Sequence, residues 1–119
     1  MDARPEIGRR GELAAARHLA RRGWTIVATR WRGGGGEIDI VARRGEVLAI
    51  CEVKVRRAPL GPYGSPVSAA QRERIVAGAH AFIAAHPAFA AHAVHLDLLV
   101  ARPRPGAWHV THMPRALEW

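Results

Sequence analysis

The stretch from Val47 to Val55 constrains the fold more than any other part of the sequence. It is a nearly continuous apolar run, broken only by Glu52 and Lys54. Such a run predicts a strand at the centre of a sheet, covered on both faces. Residues two apart on a strand share a face, so Glu52 and Lys54 should project together. Ionised groups in an apolar setting are costly unless they are paired or bind a metal ion, which makes this strand a candidate site of chemistry.

Asp39 is a further acidic residue in an apolar setting, because it lies between Ile38 and Ile40. Strand alternation predicts that Ile38 and Ile40 share one face and that Asp39 points to the other. If this strand pairs with the next one around a turn at residues 44–45, Asp39 lies near Glu52, since positions 39 and 52 are centred on that turn. The hairpin would then bring two carboxylates and one lysine together.

These three residues suit metal-dependent hydrolysis of a phosphodiester. Neighbouring carboxylates repel each other unless a hard cation neutralises them, and Mg²⁺ prefers one or two carboxylates and keeps several waters. A bound metal ion acidifies water, orients the attacked phosphate and stabilises developing charge. Lys54 would hold the attacking water or offset charge on the phosphorane. The alternative is an exposed ladder of ion pairs, in which Glu52 pairs with Lys54 and Asp39 with an arginine.

The charge balance favours a polyanionic partner. The 119 residues carry a net charge of +8, which suits nucleic acid first and a membrane surface second. Lys54 is the only lysine among 18 lysine and arginine residues, so it is a candidate for a role that guanidinium cannot fill. The only cysteine, Cys51, lies in the apolar strand and is expected to be a small buried core residue.

The sequence pattern predicts a single α/β domain over residues 1–119, with the element order α-βββ-α-β-β. The first helix covers residues 8–22. The second begins at Ser68, where Ser68 and Gln71 have the spacing of a capping box, and ends at Pro87. Strands are predicted at residues 24–32, 37–43, 47–55, 93–101 and 108–112. Turns or loops rich in glycine or proline are predicted at residues 33–36, 57–66 and 103–106.

No apolar run approaches the roughly 18 residues that a membrane span needs. Residues 1–5 lack the apolar stretch of a signal peptide. We therefore expect a cytoplasmic protein with no membrane partner.

Three blocks of the sequence resemble a known family. The blocks are Gly8-Arg9-Arg10-Gly11-Glu12-Leu13-Ala14-Ala15, Gly36-Glu37-Ile38-Asp39-Ile40-Val41 and Cys51-Glu52-Val53-Lys54-Val55-Arg56. Together they resemble the YraN family of predicted bacterial endonucleases, which is similar to archaeal Holliday junction resolvases within the PD-(D/E)xK superfamily. The resemblance implies a restriction-endonuclease-like fold, in which helices flank a mixed central sheet. It also implies hydrolysis of DNA, on branched or junction substrates, with Mg²⁺ or Mn²⁺ as the cofactor.

The resemblance also implies roles for individual residues. Asp39 and Glu52 match the metal ligands, together with the backbone carbonyl of Val53, and Lys54 matches the catalytic lysine. Glu12 matches the acidic residue that resolvase-like nucleases place near the metal, although an ordinary first-turn acid favoured by the helix dipole would look the same. The next candidate, Gln71, falls where relatives commonly show Lys or Gln, so it is expected either to approach the site or a phosphate, or to cap its helix.

Four arginines flank the proposed site, and they are candidate phosphate contacts: Arg30, Arg32, Arg56 and Arg57. A solvated basic face is the alternative for each of them. Asp97 matches a family aspartate but is better explained as a buried structural partner. Seven histidines invite a zinc interpretation, but the sequence has no cysteine cluster and no H-E-x-x-H helix.

Two functions from different classes follow from these observations. The first is a metal-dependent endonuclease that acts on DNA and cuts branched DNA as a symmetric homodimer. The second is a DNA-binding module that keeps the nuclease fold but cuts poorly, or only with a partner. A binding module would bind DNA in a salt-dependent manner that is insensitive to Lys54→Ala, whereas an enzyme would lose cleavage with that change.

Overall fold

The computed structural model describes residues 4–58 and 67–119, which form a mixed sheet with a helix on each face. The chain order is α1 (Arg4–Arg21), β1 (Thr25–Gly33), β2 (Gly36–Arg44), β3 (Val47–Val55), α2 (Ala69–Ala85), a short 3₁₀ helix (Pro87–Phe89), β4 (Ala93–Arg104) and β5 (Ala107–Leu117). The predicted α/β architecture and element order are confirmed. The predicted loop at residues 57–66 lies outside the described residues from position 59 onward.

The sheet has the order β1-β2-β3-β4-β5, so β3 is its central strand, as its apolar sequence predicts. Neighbouring strands are antiparallel except β3 and β4, which are parallel. A parallel pair needs a crossover connection, and the segment that contains α2 provides it. The first three strands form an antiparallel meander.

Each face of the sheet packs against one helix. On one face, Ile75, Ala79 and Phe82 of α2 form a buried cluster with residues that include Ile50 and Leu98. On the other face, Ala15 and Leu19 of α1 pack with Trp24 and with residues that include Cys51 and Val53. Both faces of β3 are therefore covered, and its side chains alternate between the two clusters.

The ends of several elements differ from the sequence prediction. Helix α1 begins at Arg4, before the predicted start at Gly8. The glycine turn is confined to Gly34 and Gly35, whose φ angles of 60° and 76° are those of a tight hairpin turn. Strand β4 continues through Pro103, where the missing N–H is tolerated because the pairing of β4 with β3 has already ended at Ala101.

The alternation of β2 breaks at Asp39, contrary to the prediction that Ile38 and Ile40 share a face. Ile38 packs with α2, whereas Ile40 packs with α1. The pairing of β2 with β3 also ends at Ile40 opposite Cys51. Arg30, which follows the residue opposite Ile40 on β1, has a left-handed φ of 51°. This local distortion leaves Asp39 at the point where β2 separates from β3.

Candidate active site

Asp39 and Glu52 lie one position beyond the last pair of the β2–β3 hairpin, Ile40 and Cys51, since Asp39 precedes Ile40 and Glu52 follows Cys51. The hairpin register predicted from the sequence is therefore confirmed. Where the two strands separate, the Asp39 carboxylate takes the place of a backbone acceptor, because its Oδ2 accepts a hydrogen bond of 2.8 Å from the Val53 N–H. The side chain of Asp39 is thereby held against β3.

The surroundings of Asp39 raise its pKa to about 7, far above the ordinary value of 3.8. Burial is the largest cause, and the negative charge of Glu52 is the next. The hydrogen bond from Val53 N–H acts in the opposite direction, and Glu12 adds a further raising effect. Burial and a second acid disfavour the charged form of this carboxylate, and a bound cation would favour it.

Lys54 lies beside Glu52 on the same side of β3, as the two-residue spacing predicts. Its Nζ is 3.3 Å from Oε1 of Glu52, and the two side chains are only 12% and 16% exposed. The alternative of an ion pair is therefore correct about the contact between Glu52 and Lys54, but the pair is largely buried rather than exposed. A lysine shielded in this way interacts strongly with any nearby negative charge.

A cavity of about 130 Å³ opens at the two carboxylates. Its lining residues come from β2, β3 and α2: Glu37, Asp39, Glu52, Gln71, Arg74 and Ile75. The donor set fits Mg²⁺ or Mn²⁺, because such ions accept two carboxylates and complete their shell with water. Among the described residues, no three His, Cys, Asp or Glu side chains are grouped closely enough to hold a metal ion. An ion here would depend on Asp39 and Glu52.

Glu12 lies on the opposite side of Asp39 from this cavity. It lines a second cavity of about 260 Å³, which it shares with Arg9, Thr29, Arg30 and Asp39 among others. Its Oε2 accepts a hydrogen bond of 2.8 Å from Nε of Arg30. The structure thus brings Glu12 close enough to influence Asp39, but the guanidinium of Arg30 is its direct partner.

The position of Glu12 depends on Gly11. A Cβ atom at Gly11 would lie 2.3 Å from a methyl group of Val55, so only glycine allows α1 to approach the end of β3 this closely. The neighbouring residue Glu12 is carried to the site by this contact. This is a physical reason for a glycine inside a helix, where it would otherwise be unfavourable.

The predicted phosphate contacts have separate surroundings. Arg32 lies 3.6 Å from Glu37 and is exposed, and the guanidinium of Arg56 donates to the carbonyl of Val55 at 2.8 Å. Arg57 is exposed at the end of β3. None of these three arginines lines the cavity.

Gln71 combines its two predicted roles. Its side chain accepts a hydrogen bond from Ser68 N–H, and its own N–H donates to Ser68 Oγ, which completes the capping box. The same residue lines the cavity of Asp39 and Glu52. Since the amide oxygen is engaged in the cap, the amide group of Gln71 is oriented by the start of α2.

Sequence reasoning missed Arg74, which lines the cavity one helical turn after Gln71. The signal was present, because residues three apart on a helix lie on the same face. The reason α2 comes so close is Gly36, where a Cβ atom would lie 2.2 Å from the N of Gly78 and 2.3 Å from the carbonyl oxygen of Arg74. A glycine in mid-helix, such as Gly78, indicates this kind of close approach.

Two other predictions concern the neighbours of Glu52. Cys51 is buried, and burial raises the pKa of its thiol, as expected of a core cysteine that is not reactive. Val53 contributes its N–H to Asp39, and its proposed role as a carbonyl ligand stays a prediction.

The fold and the cavity define an α/β protein with paired carboxylates and a lysine at the point where two strands of a mixed sheet separate. The chain belongs to the uncharacterised protein family UPF0102, whose model matches residues 11–101. The family resemblance inferred from the sequence blocks is thereby confirmed.

Proteins of the same family align with nearly the whole chain. A UPF0102 protein of Streptomyces coelicolor is 43% identical over 94% of this chain and 88% of its own length. Another, from Roseiflexus castenholzii, is 38% identical over 97% of this chain and 95% of its own length. A third, from Frankia casuarinae, is 42% identical over 95% of this chain and 97% of its own length.

Proposed function

We propose that this protein is a Mg²⁺- or Mn²⁺-dependent endonuclease that hydrolyses DNA phosphodiester bonds. The observation that carries the proposal is that Asp39 and Glu52 line one cavity and that Lys54 lies 3.3 Å from Glu52, in a protein of net charge +8. A buried carboxylate whose charged form is disfavoured by a second carboxylate fits a divalent cation, and the basic chain fits a polyanionic substrate.

Each residue has a distinct task in this proposal. Asp39 and Glu52 would hold the ion, which supplies Lewis-acid charge for the attacked phosphate when bound. Lys54, already held at 3.3 Å by Glu52, would orient the attacking water and offset the negative charge that develops on the phosphate. Glu12 would support the ion through water, and Gln71 and Arg74 would contact the substrate from the start of α2.

The arginines around the cavity would hold the DNA backbone. Arg32, Arg56 and Arg57 are exposed. Arg32 lies on β1 opposite Glu37, and Arg56 and Arg57 directly follow β3, the strand of Glu52. Arg30 would exchange its contact with Glu12 for a phosphate. Such contacts position a nucleic acid without reading its sequence. Cutting both strands of a branched DNA would further require two sites, and hence a symmetric homodimer.

A second candidate function is a DNA-binding module that cuts only with a partner. The observation in its favour is that Arg30 engages Glu12, and that the described residues hold no group of three ligands for a metal ion. In this case the carboxylates would contribute to the fold of the hairpin, and DNA would bind through the arginines alone.

Cleavage of labelled duplex, flap and four-way-junction DNA tests the proposal, with Mg²⁺, Mn²⁺ or EDTA present. We expect the wild-type protein to cut in a metal-dependent manner and Lys54→Ala to lower the rate by at least about 100-fold, the usual scale for loss of a transition-state charge contact. DNA affinity in EDTA should change little. Arg43→Gln is the control, because it removes a cation from β2 that does not line the cavity. Binding by all three proteins without any cutting would favour the binding module.

A further inference from the structure

A second cluster of cationic side chains lies at the other end of the sheet from Asp39 and Glu52. It surrounds a cleft of about 220 Å³, whose lining includes Arg22 directly after α1, Arg44 from the end of β2 and Arg115 from β5. Val47, the first residue of β3, also lines this cleft, whereas the candidate active site lies at residues 52–54. The two sites are therefore separated by most of the length of the central strand.

A bulge in β5 brings Arg115 to the cleft. Leu96 pairs with Leu117 but Leu98 pairs with Met113, so β5 contains extra residues opposite Asp97. One of them, Arg115, has a left-handed φ of 56°, which is uncommon for any residue with a side chain. Bulges of this kind are often found where a side chain is directed to a functional site.

A buried carboxylate holds the bulge in place. Asp97 is only 1% exposed, and its Oδ1 accepts a hydrogen bond of 3.0 Å from the backbone N–H of Arg115. Its other oxygen lies 2.7 Å from Nε2 of His112. The prediction that Asp97 is a buried structural partner thus agrees with its contacts, and what it supports is the strained position of Arg115. Strain of this kind persists only where the surrounding structure enforces it.

The three arginines are oriented by contacts that engage only part of each guanidinium. One terminal nitrogen of Arg22 lies 3.2 Å from Nδ1 of His18 and donates to the His18 carbonyl at 3.3 Å. Nε and one terminal nitrogen of Arg115 lie 3.3 and 3.1 Å from Nε2 of His95. The guanidinium of Arg44 stacks 4.5 Å from the ring centre of Trp24 and donates to the carbonyl of Arg22. Since each guanidinium has five N–H donors, these contacts leave donors that can bind an anion.

The region around the cleft is strongly positive. Asp97 is the one carboxylate among the described residues that line it, and His112 is its partner. The nearby His18 has a lowered pKa, because it is partly buried and because Arg22, His112, Arg21 and His109 are close to it. Cations grouped in this way repel one another unless an anion joins them.

We propose that this cleft is a phosphate-binding site, in which Arg22, Arg44 and Arg115 donate to the phosphate oxygens. Planar guanidinium groups suit phosphate better than any other side chain does. The phosphate belongs either to a nucleic-acid backbone or to a small phosphorylated compound. The inference does not rest on cleavage at Asp39 and Glu52, and a DNA-binding module without activity would use the same cleft.

The geometry favours a backbone phosphate of the DNA that also reaches the candidate active site. The six residue-to-residue steps from Val47 to Val53 span roughly 20 Å at about 3.3 Å per step, which is comparable to the width of a duplex. Phosphate contacts at both ends of the sheet would fix the direction of the DNA across the protein.

The first experiment follows backbone amide and tryptophan indole NMR signals during a titration with inorganic phosphate in EDTA. We expect the signals of Arg115, Trp24 and Arg44 to shift in a saturable manner. The second experiment measures binding of a fluorescein-labelled duplex by anisotropy, also in EDTA, for the wild type and the double variant Arg22→Gln/Arg115→Asn. Asparagine is chosen because it tolerates the left-handed conformation at position 115.

We expect the double variant to bind the duplex about 10-fold more weakly. The slope of log affinity against log salt concentration should decrease in magnitude by about 2, since each phosphate contact contributes about 0.9. Arg43→Gln is the matched control, because Arg43 precedes Arg44 in β2 and does not line the cleft. Phosphate shifts with unchanged duplex binding would assign the cleft to a small phosphorylated compound. Absence of phosphate shifts at these residues, together with equal duplex affinity for the double variant and Arg43→Gln, would overturn the proposal.

Discussion

At the scale of single residues, Asp39 shows how position rather than residue type creates a chemical site. An aspartate in an ordinary strand would be solvated, but here β2 leaves β3 at this residue and its carboxylate turns to the Val53 N–H. Burial and the neighbouring Glu52 then raise the pKa of Asp39 to about 7. The protein therefore holds a carboxylate whose charge is unfavourable in the folded state unless a cation is present.

This raised pKa predicts that the protein becomes less stable as the pH rises from about 4 to about 7. Between 3.8, the ordinary value, and about 7, the folded state holds a proton on Asp39 that the unfolded chain has released. The free energy of unfolding therefore falls as the pH rises through this window. Urea denaturation at pH 5 and pH 7.5, without divalent ions, measures the difference.

The variant Asp39→Asn is the control for this pH dependence, because it cannot lose the proton. Its stability should change less between the two pH values than that of the wild type. Millimolar Mg²⁺ should restore part of the stability that the wild type loses at pH 7.5, since a ligand that binds only the folded state stabilises it. An equal pH dependence in both proteins would show that Asp39 titrates normally.

The backbone of Arg30 is strained, because its φ of 51° is unfavourable for a residue with a side chain. Arg30→Gly and Arg30→Ala both remove the partly exposed ion pair with Glu12, but only glycine relieves the strain. We expect the glycine variant to be about 1 kcal/mol more stable than the alanine variant, the reverse of the usual order in a strand. Thermal denaturation of the two variants side by side measures this difference.

At the scale of elements, two close approaches of helix to sheet build the candidate site. Gly11 lets α1 approach Val55, which brings Glu12 to one side of Asp39. Gly36 and Gly78 let α2 approach β2, which brings Gln71 and Arg74 to the other side. The site is therefore formed where both helices come nearest to the separating strands.

The variant Gly36→Ala tests this packing. Its Cβ would meet backbone atoms of α2 at 2.2 and 2.3 Å, and backbone moves less readily than a flexible side chain. We expect a loss of about 3 kcal/mol in the free energy of unfolding, the upper part of the usual range for overpacking. Gly8→Ala is the matched control, because nothing lies within 4 Å of a Cβ there and alanine favours the helix. A neutral effect of Gly36→Ala in denaturant titrations would show that α2 can move away without loss.

At the scale of the whole molecule, the charge distribution offers more than one place for a polyanion. Arg74 lines the cavity of the candidate active site and Arg30 contacts Glu12 beside it, and a second group of arginines lines the cleft at the opposite end of the sheet. None of the helices in the described ranges, residues 4–58 and 67–119, is long and apolar enough to cross a membrane.

Duplex DNA affinity should therefore depend steeply on salt. With 6 to 10 phosphate contacts, DNA affinity falls by about 10³-fold to 10⁵-fold between 50 and 200 mM salt, and we expect a loss of affinity in this range. Anisotropy measurements with a labelled duplex in EDTA, at a series of NaCl concentrations, give the slope directly. A slope near zero would contradict the assignment of the arginines to phosphate contacts.

The sequence by itself determined the class of fold and the pairing of the central hairpin. The apolar run at Val47–Val55 predicted a covered strand, and the position of the turn predicted that Asp39 lies near Glu52. In the structure β3 is the central strand, and Asp39 and Glu52 line the same cavity. These features depend on local periodicity and on chain connectivity, and both can be read directly from the sequence. The family was also recognisable, because its sequence blocks and their spacing can be read without knowledge of the fold.

Only the tertiary structure decided how the helices meet these strands. The break in alternation at Asp39, the contact of Arg30 with Glu12 and the entry of Arg74 into the cavity all arise from packing between distant segments. The bulge that directs Arg115 depends on Asp97, 18 residues earlier in the chain. Such features follow from steric fit and from the burial of charge, and neither is defined until the elements are assembled.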